Sequence, residues 1–220
     1  MTSVSPTPTA ERLSDRMRAS TKAVHRLAER TGLMRRMLTG TAELSLYTAL
    51  LRNLHDVYGA LEPELARHAA EPVVGAIHFP ELGRVAAIER DLVTLHGADW
   101  ATAIPATAAQ AYVARIRAVS ATTPELLAAH SYVRYLGDLS GGQIIGRLVT
   151  RMFGLAAGTG TAFYEFPAIP DVDAFKERYR AALDALPLDA AQSAAVVQEA
   201  IDAFLLNAAL FDALAPATAG

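Results

Sequence analysis

Residues 132–155, YVRYLGDLSGGQIIGRLVTRMFGL, constrain the fold of this chain more than any other stretch. Apolar residues recur there at helical spacing, which predicts one long helix. Thr123 and Pro124 precede it, a cap residue followed by a proline suited to a first helical turn. Yet Gly137, Gly141, Gly142 and Gly146 fall inside it. Each interior glycine costs about 1 kcal/mol relative to alanine, so the four cost roughly 3–4 kcal/mol. Positions 130, 134, 137, 138, 141 and 145 lie close to one helical face. Bare backbone at Gly137 and Gly141 would therefore sit beside the Asp138 carboxylate. Tight packing on a neighbouring helix explains two glycines as well as anything else. Four beside an inward acid favour a flat ligand lying against the backbone.

The segment YLGDLSGGQ resembles the distal-helix signature of heme oxygenases. TKAVHRLAE at 21–29 is similar to that family's proximal helix, and AFLLNAALF at 203–211 to its C-terminal helix. The similarity runs from about residue 14 to 214. It implies an all-α, single-domain heme oxygenase-like helical bundle, with heme between a proximal N-terminal helix and a kinked, glycine-rich distal helix.

Composition agrees with an all-α chain. It is alanine-rich, with few β-branched runs and no hairpin signals, and its 220 residues suffice for a substantial core. A net charge of −3 gives no global case for nucleic-acid or membrane affinity. The absence of cysteine excludes disulfides, thiolate-ligated heme, iron–sulfur clusters and covalent heme attachment. No stretch approaches 18 uninterrupted apolar residues, so no membrane anchor is expected and the protein is expected in the cytoplasm. Residues 1–10 read as a disordered lead, 11–214 as the domain and 215–220 as a tail.

Helices are predicted over about 11–31, 42–68, 81–96, 106–120, 171–186 and 188–214. Loops are expected at 71–83, at the DWATAIP connector and at 156–171. In the first helix His25 shares a face with Met17, Thr21, Val24 and Ala28, and Glu29 follows one turn later. A histidine oriented by a carboxylate suits a metal ligand, although a lone histidine is more often a satisfied core residue. His68, His78 and His96 read as surface residues, and His55 lies at the edge of its helix stripe. His130 lies on the glycine face, and spacing alone leaves it level with His25. A carboxylate-bridged di-iron site finds no Glu-x-x-His pair here, and a phosphate cradle finds no G-x-x-x-x-G-K-[ST].

The resemblance assigns the roles that spacing leaves open. His25 takes the proximal position as iron ligand of heme b, with Glu29 fixing its tautomer. Gly137 and Gly141 let the distal backbone approach the porphyrin. Asp138, with Tyr58 and Arg134, orders water for proton delivery. Arg18, Lys22, Lys176 and Arg180, with Tyr132 nearby, hold the propionates, and arginine stands at 18 where lysine is frequent in the family. Phe204 forms pocket wall and Asn207 supports it. The implied reaction is oxidative cleavage at the α-meso carbon to biliverdin, carbon monoxide and ferrous iron. It uses O2 and electrons from a donor such as a ferredoxin, flavodoxin or flavoprotein reductase. The alternative from another class is a heme-binding carrier or sensor that does not degrade its ligand.

Overall fold

The structure, a computed structural model, describes residues 11–156 and 158–215. The expected lead at 1–10 and residues 216–220 of the expected tail lie outside the described residues. The described residues form eleven α-helices, short 3-10 turns and two π-helical stretches, with no strand. The all-α expectation is met.

The bundle is organised by three long helices. α1 (Leu13–Glu29) packs along α11 (Ala190–Leu214), and α3 (Leu44–Arg67) packs on α5 (Val85–Leu95) and α7 (Gln110–Thr122). Their inward stripes supply Met17, Leu51, Leu61, Ile88, Ile116 and Ala203 to one continuous core. Local chemistry sets the helix ends. α2 (Gly32–Thr39) begins at Thr31, whose hydroxyl accepts from the Met34 amide, and stops at Gly40 with φ 73°. Asp171 caps α10 (Val172–Asp184), and Asp189 with Gln192 forms a reciprocal capping box on α11.

Three local expectations need correction. The expected loop at 71–83 contains α4 (Pro72–Ile77) and a 3-10 turn (Pro80–Leu82), because proline starts a helix as readily as it breaks one. The DWATAIP connector contains the short α6 (Trp100–Ala103). Thr123 does not cap: its φ of −152° and ψ of 66° turn the side chain away, and Pro124 opens a 3-10 turn.

The glycine-rich helix is continuous but not uniformly α-helical. α8 (Leu127–Ser131) runs into π-helical turns at Tyr132–Leu136 and Asp138–Gly142, then into α9 (Gln143–Phe153). α9 ends at Gly154, φ 63°. Such wider turns gather at functional sites. α11 is long and apolar enough to cross a membrane by length and composition alone, although polar residues interrupt it as the sequence reading expected. In the fold it is a core helix that buries Glu199 and Asn207 together with Val196, Ala200 and Leu210.

Candidate functional site

A cleft of about 1060 Å³ opens between α1, the π-helical segment, α10 and α11. One wall carries His25 and Lys22 from α1 with Phe204 from α11, and the opposite wall carries Gly137 and Gly141. A Cβ placed on either glycine would meet no atom within 4 Å, so both present bare backbone to open space. Gly142 and Gly146 behave differently. A Cβ on Gly146 would stand 2.8 Å from Cβ of Tyr164, and one on Gly142 would stand 3.6 Å from the same ring. Two glycines of the four therefore serve the cleft and two serve packing.

His25 is not buried in the core as its helix stripe suggested. Its side chain is 53% exposed and faces the cleft. Nδ1 lies 3.4 Å from Oε1 of Glu29, and the ring meets Phe204 edge-on with centroids 5.4 Å apart. Arg18, Lys22 and Arg180 line the rim, with Tyr132 among them. Burial raises the Tyr132 phenol, and Thr21, Arg180 and Arg18 pull it back. Lys176 is not among the lining residues, and its ammonium sits 2.7 Å from Asp173. Sequence reasoning missed Arg12, Val133, Leu136, Ser140 and Glu177 on the same lining. Val133, Leu136 and Ser140 could have been found as helical neighbours of the two glycines.

Asp138 does not share a face with Gly137. Adjacent helical residues point about 100° apart at 3.6 residues per turn, and Asp138 turns into the core at 5% exposed. There the Tyr58 hydroxyl donates to its Oδ2 and Nη2 of Arg134 lies 3.5 Å from its Oδ1. Arg134 also donates from Nε to the Tyr58 oxygen at 3.1 Å and from Nη1 to Oδ1 of Asn207 at 2.7 Å. Burial pushes the Asp138 carboxyl above the usual carboxylate range, while Arg134, Tyr58 and Arg84 pull against it. Burial likewise raises the Tyr58 phenol. The four residues form one closed network directly behind the glycine wall.

His130 shows the same rotation away from the glycine face. It is fully buried, its Nε2 stands 2.9 Å from Oε1 of Glu199, and it does not line the cleft. Positions 130, 134 and 138 make a core stripe of their own, so His130 is no rival to His25. His68 also differs from its surface reading: its side chain is 15% exposed and bonds Glu71 and Ser120. Among the described residues no cluster of three or more His, Asp or Glu side chains could hold a metal ion, which leaves the di-iron reading unsupported.

An all-helical protein with a histidine on one wall of a deep cleft, bare glycine backbone on the other and cations at the rim is built to hold a flat anionic ligand. The chain belongs to the heme oxygenase family, whose model matches residues 11–213. Heme oxygenase 1 of Synechocystis sp. PCC 6803 is 46% identical over 203 residues, covering 92% of this chain and 84% of that protein. The crystal structure of heme oxygenase-1 from that cyanobacterium, in complex with heme, matches with a TM-score of 0.89 at 44% identity. It covers 93% of this chain and 92% of that one. Heme oxygenase from Leptospira interrogans matches with a TM-score of 0.88 at 41% identity, over 92% of this chain and all of that one.

Proposed function

We propose that this heme oxygenase holds heme b in the cleft with His25 as the iron ligand, and that Asp138 organises proton delivery on the opposite side. Heme degradation is the activity of the family to which the chain belongs. The observation that carries the finer reading is the pair Gly137 and Gly141, whose missing side chains leave the wall facing His25 open to a flat ring.

When bound, heme supplies both the iron at which O2 is activated and the ring edge that is cleaved to biliverdin, carbon monoxide and iron. The chain supplies everything else. Glu29, whose Oε1 lies 3.4 Å from Nδ1 of His25, favours a proton on that nitrogen and so leaves the Nε2 lone pair for a metal. Arg18, Lys22 and Arg180 neutralise carboxylates at the mouth and fix how a ligand is rotated in its plane. Phe204 braces the imidazole edge-on. Asp138, held by Tyr58 and Arg134, keeps a carboxyl just behind the glycine wall, where it can order water and pass protons toward the cleft. Asn207 fixes the far side of Arg134. Electrons come from a ferredoxin, flavodoxin or flavoprotein reductase, and the reaction proceeds in the cytoplasm.

Hemin, a reductant and air provide the test. The parent chain is expected to lose the Soret band and gain a broad bilin absorption. His25→Ala is expected to bind hemin but not turn it over, and His130→Ala to retain turnover per folded molecule. A histidine-type spectrum with full activity in His25→Ala, lost instead in His130→Ala, would overturn the ligand assignment.

A further inference from the structure

Behind the glycine wall lies residues 160–165, a stretch whose only regular structure is the 3-10 turn Ala162–Tyr164. Its backbone is nevertheless held at almost every residue by side chains from elsewhere. The Tyr47 hydroxyl donates to the Gly160 carbonyl at 2.9 Å. Asp91 accepts from the Ala162 and Phe163 amides at 2.8 and 2.7 Å. Arg84 donates to the carbonyls of Phe163, at 3.2 Å, and Glu165. Gln143 donates to the Tyr164 carbonyl at 2.7 Å. Asp91 is 1% exposed and Arg84 4%, and neither forms an ion pair among the described residues. Buried charges are costly to desolvate, so a loop whose backbone takes both carboxylate oxygens of Asp91 and two hydrogen bonds of Arg84, which also bonds the Leu82 carbonyl, is one whose position matters.

The side chains of this stretch lean on the residues of the proposed chemistry. The Phe163 ring meets Tyr58 edge-on with centroids 5.7 Å apart. Tyr164 fills the space above Gly142 and Gly146, on the side of the π-helical segment away from the cleft. Arg84 also lies close enough to Asp138 for its charge to be felt there. The loop thus touches Tyr58 directly through Phe163, and reaches Asp138 only through Gln143 and Arg84, which hold the loop and stand near that residue.

We propose that residues 160–165 are a rigid template that sets where Tyr58 and Asp138 stand relative to the cleft. Asp91 and Arg84, acting through it, are positioning residues for heme cleavage. The proposal rests on the role of Asp138 given above. Its physical basis is the steep dependence of proton transfer on geometry, in which a 1 Å misplacement can cost about a hundredfold in rate. A template displaced by a fraction of that should cost roughly tenfold.

The test uses Asp91→Ala and Phe163→Leu, with Glu89→Ala on the same helix as control. In the heme-free protein, NMR follows the exchangeable proton that Tyr58 donates to Asp138. In the hemin complex, affinity, kcat and KM are measured separately. Asp91→Ala and Phe163→Leu are expected to shift the resonance and lower kcat roughly tenfold, with hemin affinity within about threefold of the parent. Glu89→Ala is expected to change none of these. A parental kcat in either folded variant overturns the proposal, even if stability falls, since the loop would then serve stability alone. Should Asp91→Ala fail to fold, Phe163→Leu, which removes none of the clamping hydrogen bonds, decides. Full biliverdin yield from Asp138→Ala would remove the role assigned to Asp138. The resonance shift in heme-free protein would still report whether the template sets the Tyr58–Asp138 contact.

Discussion

Gly137 and Gly141 sit within three turns of Gly142 and Gly146 on one continuous helix, yet the two pairs solve different problems. The first pair borders open cleft, where any side chain would project into the space proposed for heme. The second borders Tyr164, where a Cβ on Gly142 would be in ordinary contact and one on Gly146 would collide with packed protein. Propensity alone treats the four alike. The difference lies in what each faces, so function and stability should separate cleanly between the pairs.

Gly141→Leu should break that symmetry most. Turnover is expected to fall by about a hundredfold or more, since the added side chain stands where the ligand must lie. The heme-free protein should melt at the same or a higher temperature, because leucine recovers up to about 1 kcal/mol of helix propensity. Thermal unfolding beside hemin turnover checks both halves. A variant that degrades hemin normally would make Gly141 a packing glycine after all.

Gly146→Ala should give the opposite pattern. The new Cβ would lie 2.8 Å from Cβ of a tyrosine whose carbonyl is held by Gln143, so the neighbour cannot retreat freely. Overpacking of about 1–3 kcal/mol, offset by about 1 kcal/mol of propensity, leaves a net loss of up to about 2 kcal/mol. Denaturant unfolding measures it, and an unchanged midpoint would show that Tyr164 gives way and that the pairs differ less than the geometry implies.

The smallest effect concerns the core stripe of the same helix, where His130 meets Glu199. Burial opposes the Glu199 charge, but hydrogen bonds from His130 and Arg115 outweigh it and hold the carboxyl at about 2, below its ordinary 4.5. A depressed folded value contributes stability that is fully present above the unfolded value and is lost as pH falls through the folded one. The contribution should therefore be complete above about pH 4.5 and disappear toward pH 2. Glu199→Gln should lose about 1 kcal/mol at neutral pH, a discounted figure because Arg115 is partly exposed. Its stability should also vary less with pH across that window. Equilibrium unfolding from pH 2 to 7 checks the slope, and parallel curves for parent and variant would remove Glu199 as the titrating group.

Much of the site was legible in order along the chain. His25 with Glu29 one turn on, the cations Arg18, Lys22 and Arg180, and the glycine run all lie on helices whose periodicity the sequence carries. Family resemblance placed Tyr58 and Arg134 with Asp138, and the structure joins the three by hydrogen bonds and adds Asn207, which the resemblance had set beside Phe204. Lys176 was assigned to the propionates with Arg18, Lys22 and Arg180 but pairs with Asp173 away from the cleft lining. Arg84, Asp91 and Phe163 gave no signal, because each acts across more than 70 positions on a loop that has no periodic pattern.

The sequence by itself determined the helical class, the helix order, the absence of thiol chemistry and the glycine-bearing wall. These follow from local terms: hydrophobic period, capping residues, and composition. Only the tertiary structure decided which glycines face the cleft, that His25 stands open to it while His130 is sealed against Glu199, and that Asp138 points into a buried network. A helical period fixes which residues share a stripe, and neighbouring stripes stand only about 100° apart. Which stripe meets a cleft and which meets the core depends on how α1, α10 and α11 pack around the π-helical segment, through contacts far apart in the chain.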